Sequence, residues 1–309
     1  MSILFYCTFK NKDQWLRSIK KKFKKEIVYT PNNKLNYSKI NYAIVWNLPD
    51  KIYSKLNNIK IIFSLGAGVD HIIKLPNYRK TPIIRVKDVN MAKRMSYHVH
   101  SQILSYQLKL YLFNQAQIKR QWLGEQYTKL NPEITVGILG LGFLGKSVAN
   151  YLMKLNYNVI GFKKENKNLK NNMKIYTSKN LKTFLCKSDI VVSILPNTNE
   201  TKDFIDSSFL NKMKKEALLI NIGRGSTLNE IHLLKHINKN KNFFASLDVF
   251  KKEPLPKTNK FWNNKNVTVT PHAAALTDVN STIDLMYKKY LLFKKNGNIK
   301  SHVNLKKGY

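Results

Sequence analysis

Three side chains far apart in the sequence carry the chemistry of carbonyl reduction: Arg224, Glu253 and His272. Arg224 stands between two glycines in Ile222-Gly223-Arg224-Gly225, directly after an apolar run at 217–222 that reads as a strand. A guanidinium fork can hold a carboxylate and polarise an adjacent ketone. The flanking glycines would let that fork stand clear of its own backbone. His272 follows Pro271 and a β-rich run at 267–270. An unperturbed imidazole pKa of about 6.5 makes both proton donation and uptake accessible near neutrality. Glu253 lies in Asp248-Val249-Phe250-Lys251-Lys252-Glu253-Pro254-Leu255-Pro256, after the run 243–247. It either pairs with the imidazole, favouring the imidazolium and raising its pKa, or forms a local salt bridge with Lys251, Lys252 or Lys257.

A ketone also needs a source of hydride, and the stretch TVGILGLGFLG at 135–145 is built to hold one. An apolar, β-branched run leads into Gly140, Gly142 and Gly145, and a helix-compatible segment, KSVANYLMKL, follows. Glycines at those offsets allow a tight strand-to-helix turn, close backbone approach to a pyrophosphate, and packing of helix on strand. The N–H groups at the helix start then form an anion site. A second strand is expected at 158–162. Twenty residues after Gly142, where a carboxylate would accept the adenosine ribose hydroxyls, the chain reads Phe162-Lys163-Lys164. Two cations there could pair with a 2′-phosphate, which favours NADP(H). Glu165 and the general excess of Lys keep NAD(H) open. Leu195 and Pro196, closing the run 189–195, and Ile222, closing 217–222, are expected to border the nicotinamide. Arg224, Asp248 and His272 each fall just past the carboxyl end of a strand, so an open α/β sheet would bring them to one crevice.

Strand and helix signals alternate along the whole chain, which predicts an α/β fold with mostly parallel sheets. The first strand is expected at 3–8 and a helix at 13–23, with Trp15, Ile19 and Phe23 on one face. Further β-rich runs occur at 26–29, 42–46, 59–64 and 82–86. Gly66 and Gly68, just past the fourth of these strands, form either a backbone approach to a ligand or a plain turn. Residues 91–122 read as one long helix without Gly or Pro. His98 and His100 in it are two apart and face different ways, as befits ordinary polar contacts and not a metal pair. The segment 276–293 has helical periodicity and is expected to return to the first lobe.

The formal net charge of +36 raises the question of a nucleic-acid or membrane-surface partner. Of 54 basic residues, however, only Arg17, Arg79, Arg85, Arg94, Arg120 and Arg224 are Arg. Lys is spread along the chain beside Asn and Ile, as in a drift towards A/T-rich codons. No interleaving of aromatic and basic residues marks a reader of bases or phosphates, so no nucleic-acid partner is expected. The longest basic cluster, Lys20-Lys21-Lys22-Phe23-Lys24-Lys25, is the solvated end of a helix. No apolar run approaches the roughly 18 residues that span a bilayer. The first residues read as a strand and not a signal peptide. Cys7 and Cys186 are too few for a disulfide framework and fit a reducing cytoplasm.

Taken in order and spacing, VGILGLGFLG, INIGRGSTLNE, LDVFKKEPLP and TPHAAALT resemble the D-isomer-specific 2-hydroxyacid dehydrogenases. The resemblance extends over essentially the whole chain. The LGAGVD loop, the strand containing Trp46, Lys163-Lys164 and the terminal Lys307-Gly308-Tyr309 look like the branch that reduces glyoxylate and hydroxypyruvate. The resemblance implies two Rossmann-like or flavodoxin-like lobes, the cofactor domain at 97–275 being inserted into a substrate domain at 1–96 plus 276–309. It implies a small 2-keto acid substrate bound by Arg224, by backbone N–H groups at Ala67 and Gly68, and beside Trp46. His272 would be the acid/base and Glu253 its partner. Phe143 and Leu144 would hold the pyrophosphate, and Asp248 would contact the nicotinamide carboxamide. A homodimer is implied too. Two departures stand out. Ser96-Tyr97-His98-Val99-His100 replaces a common Val-Ala-Glu, and Gly223 replaces a common Ala, a change expected to be nearly silent. The expected activity is NADPH-dependent reduction of glyoxylate and hydroxypyruvate. An NADH-dependent dehydrogenase of another 2-hydroxy acid is the alternative, followed by a dinucleotide-responsive nucleic-acid-binding or scaffold protein.

Overall fold

The structure, a computed structural model, describes residues 2–32, 34–164, 173–305 and 308; Glu165, Lys307 and Tyr309 lie outside them. The chain divides into two compact units, one of Met1–Met91 with Thr277–Tyr309 and one of Ala92–Leu276.

In the first unit the strands are β1 (Ser2–Tyr6), β2 (Ile27–Tyr29), β3 (Tyr42–Val45), β4 (Ile61–Ser64) and β5 (Ile83–Ile84). They form one parallel sheet in the order β2-β1-β3-β4-β5. β3 and β4 are buried along their whole length, as strands covered on both faces must be, and so read as continuous apolar runs. The helix α1 (Lys12–Lys22) buries Trp15 and Ile19 and leaves its lysines in solvent. The helix Val279–Asn296 packs beside it: Tyr290 meets Phe23 and Tyr42 edge-on at 5.3 and 5.2 Å. Two further single-turn helices follow strands, α2 (Asp50–Tyr53) and α3 (Asp70–Ile73). This strand order reverses direction between β1 and β3, and crevices form beyond the carboxyl ends at such a reversal. The loop after β3 begins with Trp46.

The second unit opens with α4 (Val89–Gln107), most of which belongs to it, and α5 (Leu110–Ile118). Its strands are β6 (Thr135–Leu139), β7 (Asn158–Phe162), β8 (Lys174–Tyr176), β9 (Ile190–Ser193), β10 (Leu218–Asn221), β11 (Phe244–Leu247) and β12 (Val267–Val269). All run parallel, in the order β12-β11-β10-β9-β6-β7-β8. Side chains alternate between two cores, as a period of two requires. On β9, Val191 joins Phe184, Leu219 and Leu247, whereas Ile190 and Val192 join Val136, Ile138 and Ile220. Here the order reverses between β6 and β9, so the glycine-rich loop and the loop at Leu195 and Pro196 stand together at that point.

Two elements differ from expectation. The long helix at 91–122 is broken at Lys109, whose φ of +54° is left-handed, so α4 ends and α5 starts in a new direction. Aromatic packing favours the break: Tyr111 lies 4.1 Å from Phe244, centroid to centroid, and Tyr106 covers the same ring at 5.8 Å. β8 has three residues, too short for alternation to show in sequence.

The glycine-rich turn divides its work among its glycines. Gly140 has φ +103°, a conformation L side chains rarely adopt, and a Cβ there would stand 2.9 Å from the Ile194 carbonyl oxygen. Gly145, buried in α6 (Phe143–Lys154), lets that helix lie directly on the Gly140 carbonyl, which a Cβ would overlap. Gly142 has open space where its Cβ would be. Gly145→Ala must therefore lift α6 from β6. A loss of about 1–3 kcal/mol is expected for such overpacking, read as a lower urea midpoint; an unchanged midpoint would show that the turn yields freely.

Candidate active site

Every side chain of interest in the second unit is set by a strand end. Arg224 follows β10, and its carbonyl is pinned by three donors: Thr227 N–H at 3.1 Å, Thr227 Oγ1 at 2.7 Å and Asn221 Nδ2 at 3.3 Å. Its guanidinium Nη1 donates to the Gly223 carbonyl at 2.9 Å. The neighbouring glycines serve close packing. A Cβ on Gly225 would overlap the Phe250 carbonyl, so the Arg224 loop and the loop after β11 are held in direct backbone contact.

That second loop carries Glu253. Its Oε1 accepts the Phe250 N–H at 2.9 Å, and its Oε2 lies 2.8 Å from His272 Nδ1. The alternative of a local lysine pair is not what the structure adopts, since Lys251 is bound by Asp203 at 2.5 Å instead. Partial burial pushes the Glu253 carboxyl up. The hydrogen bonds from His272 and the Phe250 N–H, with the charges of His272 and Arg224, outweigh that and hold it below its usual range. A carboxylate accepting at Nδ1 leaves Nε2 as the nitrogen of His272 that faces other partners. Among the described residues, Nε2 makes no hydrogen bond, and the side chain is 44% exposed.

His272 itself sits in the left-handed region at φ +54°, which costs a non-glycine residue of order 1 kcal/mol or more. The compensation comes from Asp248, 1% exposed at the end of β11. Its Oδ1 accepts Thr270 Oγ1 at 2.6 Å and the Ala273 N–H at 2.8 Å, and its Oδ2 accepts the Ala274 N–H at 3.0 Å. Its carbonyl accepts the His272 N–H at 2.9 Å. One buried carboxylate thus folds the whole turn that presents the imidazole. Sequence reasoning assigned Asp248 a cofactor contact and missed this bond set. The adjacency of Thr270 to the histidine turn was the one available signal.

At the order reversal of the sheet, α6 begins at Gly142 without any side-chain cap. Its first-turn N–H groups, at Phe143, Leu144 and Gly145, have no acceptor within the helix, the arrangement that suits an anion. Leu195 and Pro196 are half-buried beside this turn and Ile222 is buried. Gly223 is not a silent replacement: a Cβ there would stand 2.5 Å from the Leu195 carbonyl oxygen and 2.7 Å from its nitrogen. The missing methyl lets the Arg224 loop close tightly on the Leu195 loop, and Ala would have to part them.

A profile of the D-isomer specific 2-hydroxyacid dehydrogenase NAD-binding domain matches residues 101–274. The chain belongs to that family. The glyoxylate/hydroxypyruvate reductase A of Photorhabdus laumondii is 30% identical, with 100% of both chains covered. That of Serratia proteamaculans is 32% identical over 92% of each. Among solved structures, an NADPH-dependent glyoxylate/hydroxypyruvate reductase from Sinorhizobium meliloti, in complex with NADP and sulfate, superposes with a TM-score of 0.92 at 28% identity, covering 100% of this chain and 99% of that one. A family member from Xanthobacter autotrophicus in complex with NADPH gives the same TM-score at 27% identity, covering 100% and 99%.

Other residues of this dehydrogenase family member are placed as follows. Lys163 and Lys164 follow β7, and Lys164 Nζ is paired with Glu200 at 2.6 Å, a partner the sequence did not disclose. In the first unit, Ala67 and Gly68 are half-buried after β4, and Trp46 lies against Phe9 and His71. On α4, His100 Nδ1 meets Tyr151 Oη at 3.4 Å, an ordinary polar contact. Among the described residues His98 Nε2 is buried without a hydrogen-bond partner, and burial lowers the pKa of His98 although Asp248 opposes this.

The depressed Glu253 pKa fixes the sign of a pH effect. A carboxylate stabilised in the folded state contributes stability above its unfolded pKa and loses it as pH falls through the folded value. The stability gap between the native protein and Glu253→Gln is therefore expected to be largest near neutrality. It should close as pH falls below about 4, the range of an ordinary carboxylate. Melting temperatures of both across pH check this, and a gap that widens in acid would contradict it.

Proposed function

We propose that the chain is an NADPH-dependent reductase of glyoxylate and hydroxypyruvate, yielding glycolate and glycerate. The observation that carries the reading is the Glu253–His272 pair, 2.8 Å apart, on a loop packed against the loop that carries Arg224. The relatives named for this activity add to it, two of them at 30% and 32% identity.

The residues present fit a dinucleotide. The uncapped N-terminus of α6 and the open face of Gly142 would take the pyrophosphate at Phe143 and Leu144. Leu195, Pro196, Ile222 and Asp248 would border the nicotinamide. Lys163 and Lys164 would take the 2′-phosphate, Lys164 exchanging the Glu200 carboxylate for it. When bound, the nicotinamide supplies the hydride that reduces the carbonyl carbon. Arg224 orients the 2-keto acid by its carboxylate and polarises the ketone. His272 gives the proton on Nε2 to the ketone oxygen, and Glu253 holds Nδ1–H and stabilises the imidazolium before transfer. In the first unit, the Ala67 and Gly68 N–H groups bind the substrate carboxylate, beside Trp46.

A homodimer in the cytoplasm completes the reading. From the end of α5 onward the second unit carries a run of exposed apolar residues, with Ile118 84%, Trp122 99%, Tyr127 77% and Leu130 71% exposed. Large apolar side chains in such a run mark a protein–protein surface, and a second copy is the occupant proposed. Two free cysteines suit a reducing compartment, and among the described residues no helix is long and apolar enough to cross a membrane.

The first test is the loss of reduced-cofactor absorbance with glyoxylate or hydroxypyruvate, NADPH and NADH side by side. Turnover with NADPH preferred is expected; NADH preference would remove the role of Lys163 and Lys164. His272→Ala should lower kcat by at least about 100-fold while NADPH binding persists, and lost NADPH binding instead would mean that His272 acts on the cofactor. For assembly, Trp122→Glu is expected to shift sedimentation from dimer to monomer, and a monomeric native protein would refute the dimer.

A further inference from the structure

The first unit holds a cluster around Trp46 in which one side chain, His71, has no part in the reaction scheme. Trp46 follows β3 and Gly66 follows β4, and a Cβ on Gly66 would overlap the six-membered ring of the Trp46 indole. The indole therefore lies directly on the backbone that leads into Ala67 and Gly68. His71, the second residue of α3, braces both sides of this contact. Its ring stands 4.4 Å from the Trp46 ring, centroid to centroid, and Phe9 stands 5.3 Å from the same indole. Its Nδ1 accepts the Asn47 N–H at 3.1 Å, fixing the residue after Trp46, whose φ of +53° is left-handed.

An accepting Nδ1 puts the ring proton on Nε2 in the neutral imidazole. Nε2 then donates towards Ser64 Oγ, 3.4 Å away, and Ser64 Oγ in turn donates to the Gly68 carbonyl at 3.0 Å. One imidazole thus ties the tryptophan turn to the glycine loop through hydrogen bonds at both nitrogens.

We infer that His71 is a positioning residue that locks the Trp46 indole onto the Gly66–Gly68 loop, making a rigid wall that restricts the enzyme to short 2-keto acids. The inference rests on the proposed reaction, in which Ala67 and Gly68 hold the substrate carboxylate. The indole lies against the backbone that leads into that carboxylate site, so its position sets the room left beside a bound 2-keto acid. Loosening it would both blunt the carboxylate site and admit longer chains, effects that fall on substrate binding and not on proton transfer at His272.

The experiment compares glyoxylate, hydroxypyruvate and 2-oxohexanoate with NADPH. His71→Ala is expected to raise KM for the two short acids about tenfold and to narrow the preference for them over 2-oxohexanoate by a similar factor. The kcat for glyoxylate and the NADPH dissociation constant should stay within about twofold, since neither the proton donor nor the cofactor loop is touched. His71→Asn, whose amide oxygen can stand in for Nδ1 and accept the Asn47 N–H, should recover part of the preference. Gly66→Ala, which displaces the indole while leaving His71 intact, should shift specificity the same way. Native-like circular dichroism keeps folding out of the comparison. Native preference in both His71→Ala and Gly66→Ala overturns the inference and leaves the function standing. A native enzyme that reduces none of the three acids overturns both.

Discussion

A single buried carboxylate organises the turn that presents the imidazole of His272. Asp248 has almost no contact with solvent, and both its oxygens are spent on the turn 270–274. Burying an ion is tolerable only when donors replace its water, and here the donors are the turn itself. The bond set closes the turn tightly enough to hold His272 at a positive φ. In that conformation Nδ1 meets Glu253, so the orientation of the imidazole depends on a residue whose carboxylate binds Thr270, Ala273 and Ala274. The strain at His272 and the burial of Asp248 are two sides of one arrangement.

The loops that must cooperate are brought together by missing side chains as much as by bonds. Gly225 admits the Phe250 backbone, Gly223 admits Leu195, and Gly145 admits the Gly140 carbonyl. Gly223 and Gly225 sit where a loop from one strand crosses a neighbour, because parallel strands deliver all their loops to one edge of the sheet. The second unit can therefore assemble an anion site, a guanidinium and an imidazole pair from segments more than a hundred residues apart in sequence. In the first unit, Gly66 does the same for the Trp46 indole.

The net charge of +36 sits on this frame without entering it. Lys22, Lys164 and Lys251 each pair with a carboxylate at the surface, at 2.5–2.6 Å. Exposed pairs of this kind are worth little individually. What the lysines change is the long-range field, which draws anionic ligands towards the protein. A dinucleotide and a 2-keto acid are both anions, so the charge assists the proposed chemistry without being selective for it.

The local pattern of the sequence determined the parallel α/β character, because buried strands must be apolar throughout and glycine offsets report directly on a strand–turn–helix. It also determined which residue types stand at strand ends, and so the convergence of Arg224, Asp248 and His272. Partner choice was beyond its reach: Glu253 had three lysines near it in sequence, and only the folded loop turns it to His272 and gives Lys251 to Asp203. The break at Lys109 was equally hidden, since it answers to the Phe244 ring on a distant strand. Gly223 was misjudged for the same reason, its importance lying in the Leu195 backbone that packs on it. Periodicity reports what a residue does to its own element, whereas contacts between elements arise only when the sheet closes, and those contacts decided the geometry of the site.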